Sequence, residues 1–244
     1  MSAAVGSLVA ALLLAAVYLL GDRYLPREQK HPRRWLSVAA GASMAYVFLD
    51  VLPELGVRHR AFLAQVGEVS YAEHRIYALA LVGFVFLYAL DEMVQAARGG
   101  EDGPGERPET RSPIFWIHIF GFALYGWVIG DALVSRGEKG LLNLWLYVAA
   151  MVFHLLIVTS AMAREHGKLY HARGRWVLAG SVLTGWTVAA LAPLPEVAMS
   201  RLFALVAGGV LMTSANEELP REKGGRFGWF AMGAGAYGAL LLLT

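Results

Sequence analysis

Eight apolar runs divide the chain, separated by short polar, glycine-bearing or proline-bearing segments. They fall near residues 2–20, 35–52, 76–97, 114–134, 141–163, 176–191, 201–219 and 227–243. A helix rising 1.5 Å per residue needs about 20 apolar residues to cross a hydrocarbon core of roughly 30 Å, and most of the runs are close to that length. The second, third and seventh carry acidic residues near one end, yet the intervals leave no room for a soluble domain. The pattern predicts an all-α polytopic membrane protein of eight transmembrane helices in a single membrane domain, 1–244. Its longest breaker-rich stretch, 99–112, predicts a cytoplasmic linker between a three-helix front, 1–98, and a five-helix back.

Composition agrees with that class. With 57% hydrophobic and 16% charged residues and a mean hydropathy of +0.50, the chain cannot cover itself with charge on all sides. It has no cysteine, which removes disulfides, thiolate metal sites and cysteine nucleophiles. The net charge of +2 is read as topology and contact with anionic lipid, with no nucleic-acid partner. Fifteen Lys and Arg fall in the odd-numbered loops and six in the even-numbered ones. Basic loops are retained in the cytoplasm, so both termini are expected outside a cell membrane, the inner membrane in a bacterial setting. No basic residue precedes Asp22, so the first run lacks the positive start of a cleaved secretory signal and reads as a retained helix.

One block occurs twice in the same register. Gly41 leads to Asp50-Val51-Leu52-Pro53, and Gly208 leads to Glu217-Glu218-Leu219-Pro220, each closing an apolar run. If this is a duplication, 1–98 and 174–244 are three-helix repeats flanking a central helix pair, 113–165. Three helices per repeat forces opposite orientations, with Asp50 toward the outside, Glu217 toward the cytoplasm, and a substrate site between the repeats near the midplane. The plain alternative is chance, because glycine-rich starts and proline ends are common in membrane helices.

On these residues the chain resembles the ZIP metal-ion transporters. The segment from Ala40-Gly41-Ala42-Ser43 to Asp50-Val51-Leu52-Pro53-Glu54 is similar to that family's second helix. Ala207-Gly208-Gly209 through Glu217-Glu218-Leu219-Pro220 is similar to its seventh, and the glycines Gly233, Gly235 and Gly238 suit its eighth. The resemblance implies a 3+2+3 inverted-repeat fold and transport of a divalent cation of the zinc, iron or manganese class. In the family the fourth and fifth helices each carry a His followed by Asn or Glu and further carboxylates. Here His118 precedes Ile119-Phe120-Gly121, and His154 precedes Leu155-Leu156-Ile157. Only the first member of each set is kept, which implies a reduced, non-standard site.

His154 lies near the bilayer midplane, where an ionisable group is costly and points to function; the bland reading is an imidazole bonded to Thr159, Ser160 or Thr184 as helix glue. His118 lies nearer the cytoplasmic end. Asp91 and Glu92, Asp131, and Glu217 and Glu218 lie near helix ends and could form entry and exit stations for a cation; the alternative is that each sits at headgroup depth, where a solvated or Arg-paired carboxylate needs no ligand. Thr213-Ser214-Ala215-Asn216-Glu217 is the densest run of oxygen ligands in any helix. Together with Ser43, Asp50 and His154 it is where a hard or borderline cation is expected. The expected ligand set is His154, His118, Asp50, Glu217, Asn216 and Glu218. No catalytic residue and no resident cofactor is expected, the metal being substrate; lipid is the evident partner, and small-residue helix faces suit a homodimer. Two other readings compete: a transporter-derived protein that has become a sensor or scaffold, and an intramembrane hydrolase using Ser43 with His154 as base.

Overall fold

The computed structural model describes residues 2–24, 34–66, 72–99, 112–215 and 227–243, and every element within them is helical. In chain order these are α1 (Ala3–Tyr24), α2 (Arg34–Tyr46), α3 (Leu52–Val66), α4 (Ala72–Gly99), α5 (Ser112–Glu138), α6 (Leu141–Leu169), α7 (Arg175–Leu191), α8 (Glu196–Thr213) and α9 (Phe227–Leu242). Six of the continuous stretches are long and apolar enough to cross a membrane, and Phe227–Leu242 is a shorter apolar helix.

The expectation of eight separate helices is therefore corrected to seven continuous stretches among the described residues, for a local reason. The expected fifth and sixth helices run on as one stretch, Leu141–Leu191, because no proline interrupts 164–175 and helical hydrogen bonding resumes through a π turn, Tyr170–Gly174. The stretch is not straight: Gly167 has φ 47° and ψ −118°, a conformation open to glycine and costly to other residues. The two arms on either side of this break both pack against α1 and α5.

The second apolar run also continues past its expected end. Pro53 lacks an N–H and should terminate a regular helix, but Val47–Val51 widen into a π turn in which the Leu52 N–H bonds the Val47 carbonyl. That shift absorbs the proline, and the chain stays helical to Val66. The same widening starts six residues after each glycine of the duplicated block, at Val47 after Gly41 and at Ser214 after Gly208.

Packing is built on backbone approach at glycine, the means by which helices associate where no water is present to drive them together. A Cβ on Gly41 would strike the Phe230 carbonyl, and one on Gly233 the Val38 carbonyl, so α2 and α9 touch backbone to backbone. Gly83 against Leu205 and Gly208 against Ala80 do the same for α4 and α8. Gly130 against Val182 and Gly185 against Trp127 join α5 to α7. Further, α1 packs on α6 and α7, and α3 on α8. Side chains turned away from these contacts are apolar, as on α4, where Leu81, Val82 and Val85 are each more than half exposed. Such a surface suits hydrocarbon and not water.

Candidate metal centre

Near the start of α5 and the end of α6, three ligand atoms converge. His118 projects from α5, and Glu165 and His166 are consecutive on α6; their ligand atoms lie within 4.8 Å of one another. His118 Nδ1 is 2.9 Å from His166 Nε2 and 3.6 Å from Glu165 Oε2. Both imidazoles are buried, 5% and 1% exposed, and Phe115 and Phe122 flank them edge-on or tilted with centroids 5.2 Å away. Two imidazoles and one carboxylate with room for other ligands form a donor set for zinc or for iron(II) and manganese(II). Two nitrogens on a tetrahedral zinc stand about 3.3 Å apart, given Zn–N near 2.0–2.1 Å. A separation of 2.9 Å thus needs only a small opening of the two rings, with the metal taking the place of the proton they share.

Of the expected ligands, only His118 belongs to this cluster. Glu165 and His166 were missed because the fifth apolar run ends at Ala163, whereas α6 stays helical through His166, up to the break at Gly167. One signal was present: Glu165 lies eleven residues after His154, about three helical turns, and so falls on the same face of the helix.

His154 is elsewhere on α6, held by Ser43: the Ser43 Oγ and His154 Nδ1 are 3.2 Å apart. Tyr125 packs edge-on against it, with its hydroxyl on the Met151 sulfur 3.7 Å away. The hydroxyl partner is thus on α2, not Thr159, Ser160 or Thr184; Thr184 instead donates to the Ser181 carbonyl. His154 borders a small apolar cavity of about 50 Å³, and His118, Glu165 and Asp91 border a second of about 30 Å³. Leu87, Phe122 and Thr213 line both, so the two histidines face neighbouring spaces and not one ion.

Asp50 is taken by arginine. In the π turn its carboxylate accepts both ends of the Arg136 guanidinium, one bond at 2.8 Å and a second, shorter one. Arg136 also lies over the Tyr147 ring at 5.2 Å. A carboxylate held by a bidentate guanidinium is engaged in two charge-assisted bonds, and Asp50 stands apart from the His118 cluster. Asp131 is half-buried and Glu92 exposed, and neither joins the cluster. Asn216, Glu217 and Glu218 lie outside the described residues.

No family model matches the chain, and no curated protein matches its sequence. Fold and site together define a helical protein of membrane type, with a buried His-Glu-His cluster between two of its long apolar helices.

Proposed function

We propose that the chain is a ZIP-like integral membrane protein that moves a divalent cation of the zinc, iron or manganese class across the cell membrane through a reduced site of His118, Glu165 and His166. The His-Glu-His convergence carries this reading: among the described residues it is the one grouping of three metal-ligating side chains, and both imidazoles are buried, where a polar group is costly without a partner.

The packing supports an inverted repeat. Exchange α1 with α7, the α2–α3 helix with α8, α4 with α9, and α5 with α6. The four strongest contacts then map in pairs: α2 with α9 onto α8 with α4, and α5 with α7 onto α6 with α1. The contacts of α1 with α7 and of α5 with α6 map onto themselves. Gly41 and Gly208, equivalent in the duplicated block, each lie at a backbone-to-backbone contact of their pair. Movement of the repeats against the α5–α6 pair would expose the cluster to each side in turn.

A second reading, a relative that no longer transports, is favoured by one observation: the carboxylate of the repeat acid Asp50 is occupied by Arg136. Uptake of zinc, iron(II), manganese, cobalt and cadmium into liposomes holding the purified protein separates the two. Transport lost in His118→Ala and in His166→Ala supports the first reading; no uptake above empty liposomes, with metal still bound at equilibrium, supports the second.

A further inference from the structure

Three sets of residues are stacked along the antiparallel α5–α6 hairpin. Arg136 and Tyr147 lie nearest its turn, Tyr125 and His154 next, and His118 and His166 farthest. By the helical rise, Tyr147 is about 10 Å from His154 along α6, and His154 about 18 Å from His166. Two small cavities that share Leu87, Phe122 and Thr213 in their walls lie at the second level and the third.

We infer that the Asp50–Arg136 ion pair is the gate that seals the path on the side of the α5–α6 turn. Four elements close around it. Asp50 comes from the π turn after α2 and Arg136 from α5. Tyr147 of α6 underlies the guanidinium and meets Tyr46 of α2 edge-on, at 5.8 Å between centroids. Tyr237 of α9 ties this layer to α6 by donating to the Leu146 carbonyl at 2.7 Å. The pair thus bridges the α2–α9 unit to the central pair, the two bodies whose relative movement transport requires.

Its placement in a π turn supplies the hinge. A π turn holds one residue more than an α turn, so a change in the winding of Val47–Val51 turns Asp50 around the helix axis, away from Arg136. Paired, the two groups are electrically neutral and block the way; parted, Asp50 offers a free carboxylate to an arriving cation. A bidentate pair held through two parallel bonds is directional, so a modest rotation is enough to break it.

The inference rests on the transport reading, but its test needs no transport. The chain has no cysteine, so one introduced thiol reports alone. Ser43→Cys, on the His154 side of the pair, is the reporter, and Lys139→Cys, exposed at the α5–α6 turn, marks the facing solution. A membrane-impermeant maleimide is applied from that side to protein in sealed vesicles. With the pair intact, Lys139→Cys reacts readily and Ser43→Cys slowly. Adding Arg136→Gln or Asp50→Asn to the reporter is expected to raise its labelling rate at least tenfold. Adding Asp50→Arg together with Arg136→Asp is expected to restore the slow rate. Equal rates in paired and unpaired backgrounds would overturn the gate and make the pair a packing contact. Should the neutral variants fail to fold, as judged by gel filtration, Arg136→Lys keeps the charge and loses the fork; an unchanged labelling rate there overturns the inference as well. Failure of metal uptake with a reporter rate that responds to the pair would sink the transport reading and leave the gate standing.

Discussion

His118 and His166 meet nitrogen to nitrogen at 2.9 Å, one from the start of α5 and one from the last turns of α6. Neutral imidazoles at this separation share a proton, and a metal ion would take its place once both lone pairs turn inward. Cobalt(II) added to the detergent-solubilised protein is expected to develop the visible absorption of a low-coordinate site. His166→Ala or His118→Ala should lower affinity by more than the roughly 10- to 100-fold typical of losing an outer partner of a metal ligand. Absorption unchanged in both variants would place the metal elsewhere.

Binding at that site should also weaken as the solution is made acidic, because imidazole and carboxylate bind metal only when deprotonated. Equilibrium titration of zinc between pH 7.5 and pH 5.5 reads this directly. An affinity independent of pH would argue against histidine ligands.

The Asp50–Arg136 pair should be costly to break and cheaper to remove. Asp50→Leu alone leaves a guanidinium poorly solvated, at a cost of about 3–5 kcal/mol, whereas Asp50→Leu with Arg136→Met should recover most of that loss. Thermal unfolding of the three proteins in one detergent checks the ordering; a double variant no more stable than the single one contradicts it.

Close approach at glycine makes a contrast within one fold. A Cβ at Gly208 meets the Ala80 carbonyl and lies 2.9 Å from the Phe84 nitrogen, whereas one at Gly180 has nothing within 4 Å. Gly208→Ala is therefore expected to destabilise by about 1–3 kcal/mol, the usual effect of overpacking, and Gly180→Ala to stay within about 0.5 kcal/mol of the parent. Midpoints of thermal unfolding decide it.

The break at Gly167 carries its own expectation. Alanine there would hold φ 47° and ψ −118° against its side chain, at a cost of about 1–3 kcal/mol. Proteolysis between the arms, or a lowered unfolding midpoint in Gly167→Ala, reads the loss. A variant as stable as the parent would mean the backbone relaxes at no cost.

Helical class and the places of the apolar runs were legible in the sequence, because segment hydropathy and length depend on local composition alone. The helix ends were less so. Pro53 marks a terminus by its missing N–H, but whether a helix stops there or passes through a π turn depends on what the following turns pack against, here α8. Likewise, nothing local in 164–175 says that α6 continues past Ala163 to the break at Gly167, so Glu165 and His166 stayed hidden beyond the expected end of the run.

The duplicated glycine block was visible as spacing, and His118 and His154 stood out as ionisable groups inside apolar runs. By itself, the sequence determined which residues are too polar for their surroundings. Only the tertiary structure decided their partners: His118 with Glu165 and His166, His154 with Ser43, and Asp50 with Arg136. Hydropathy and helical period are properties of one segment, whereas each of these pairings joins residues 48, 111 or 86 positions apart through the angle and register at which two helices cross.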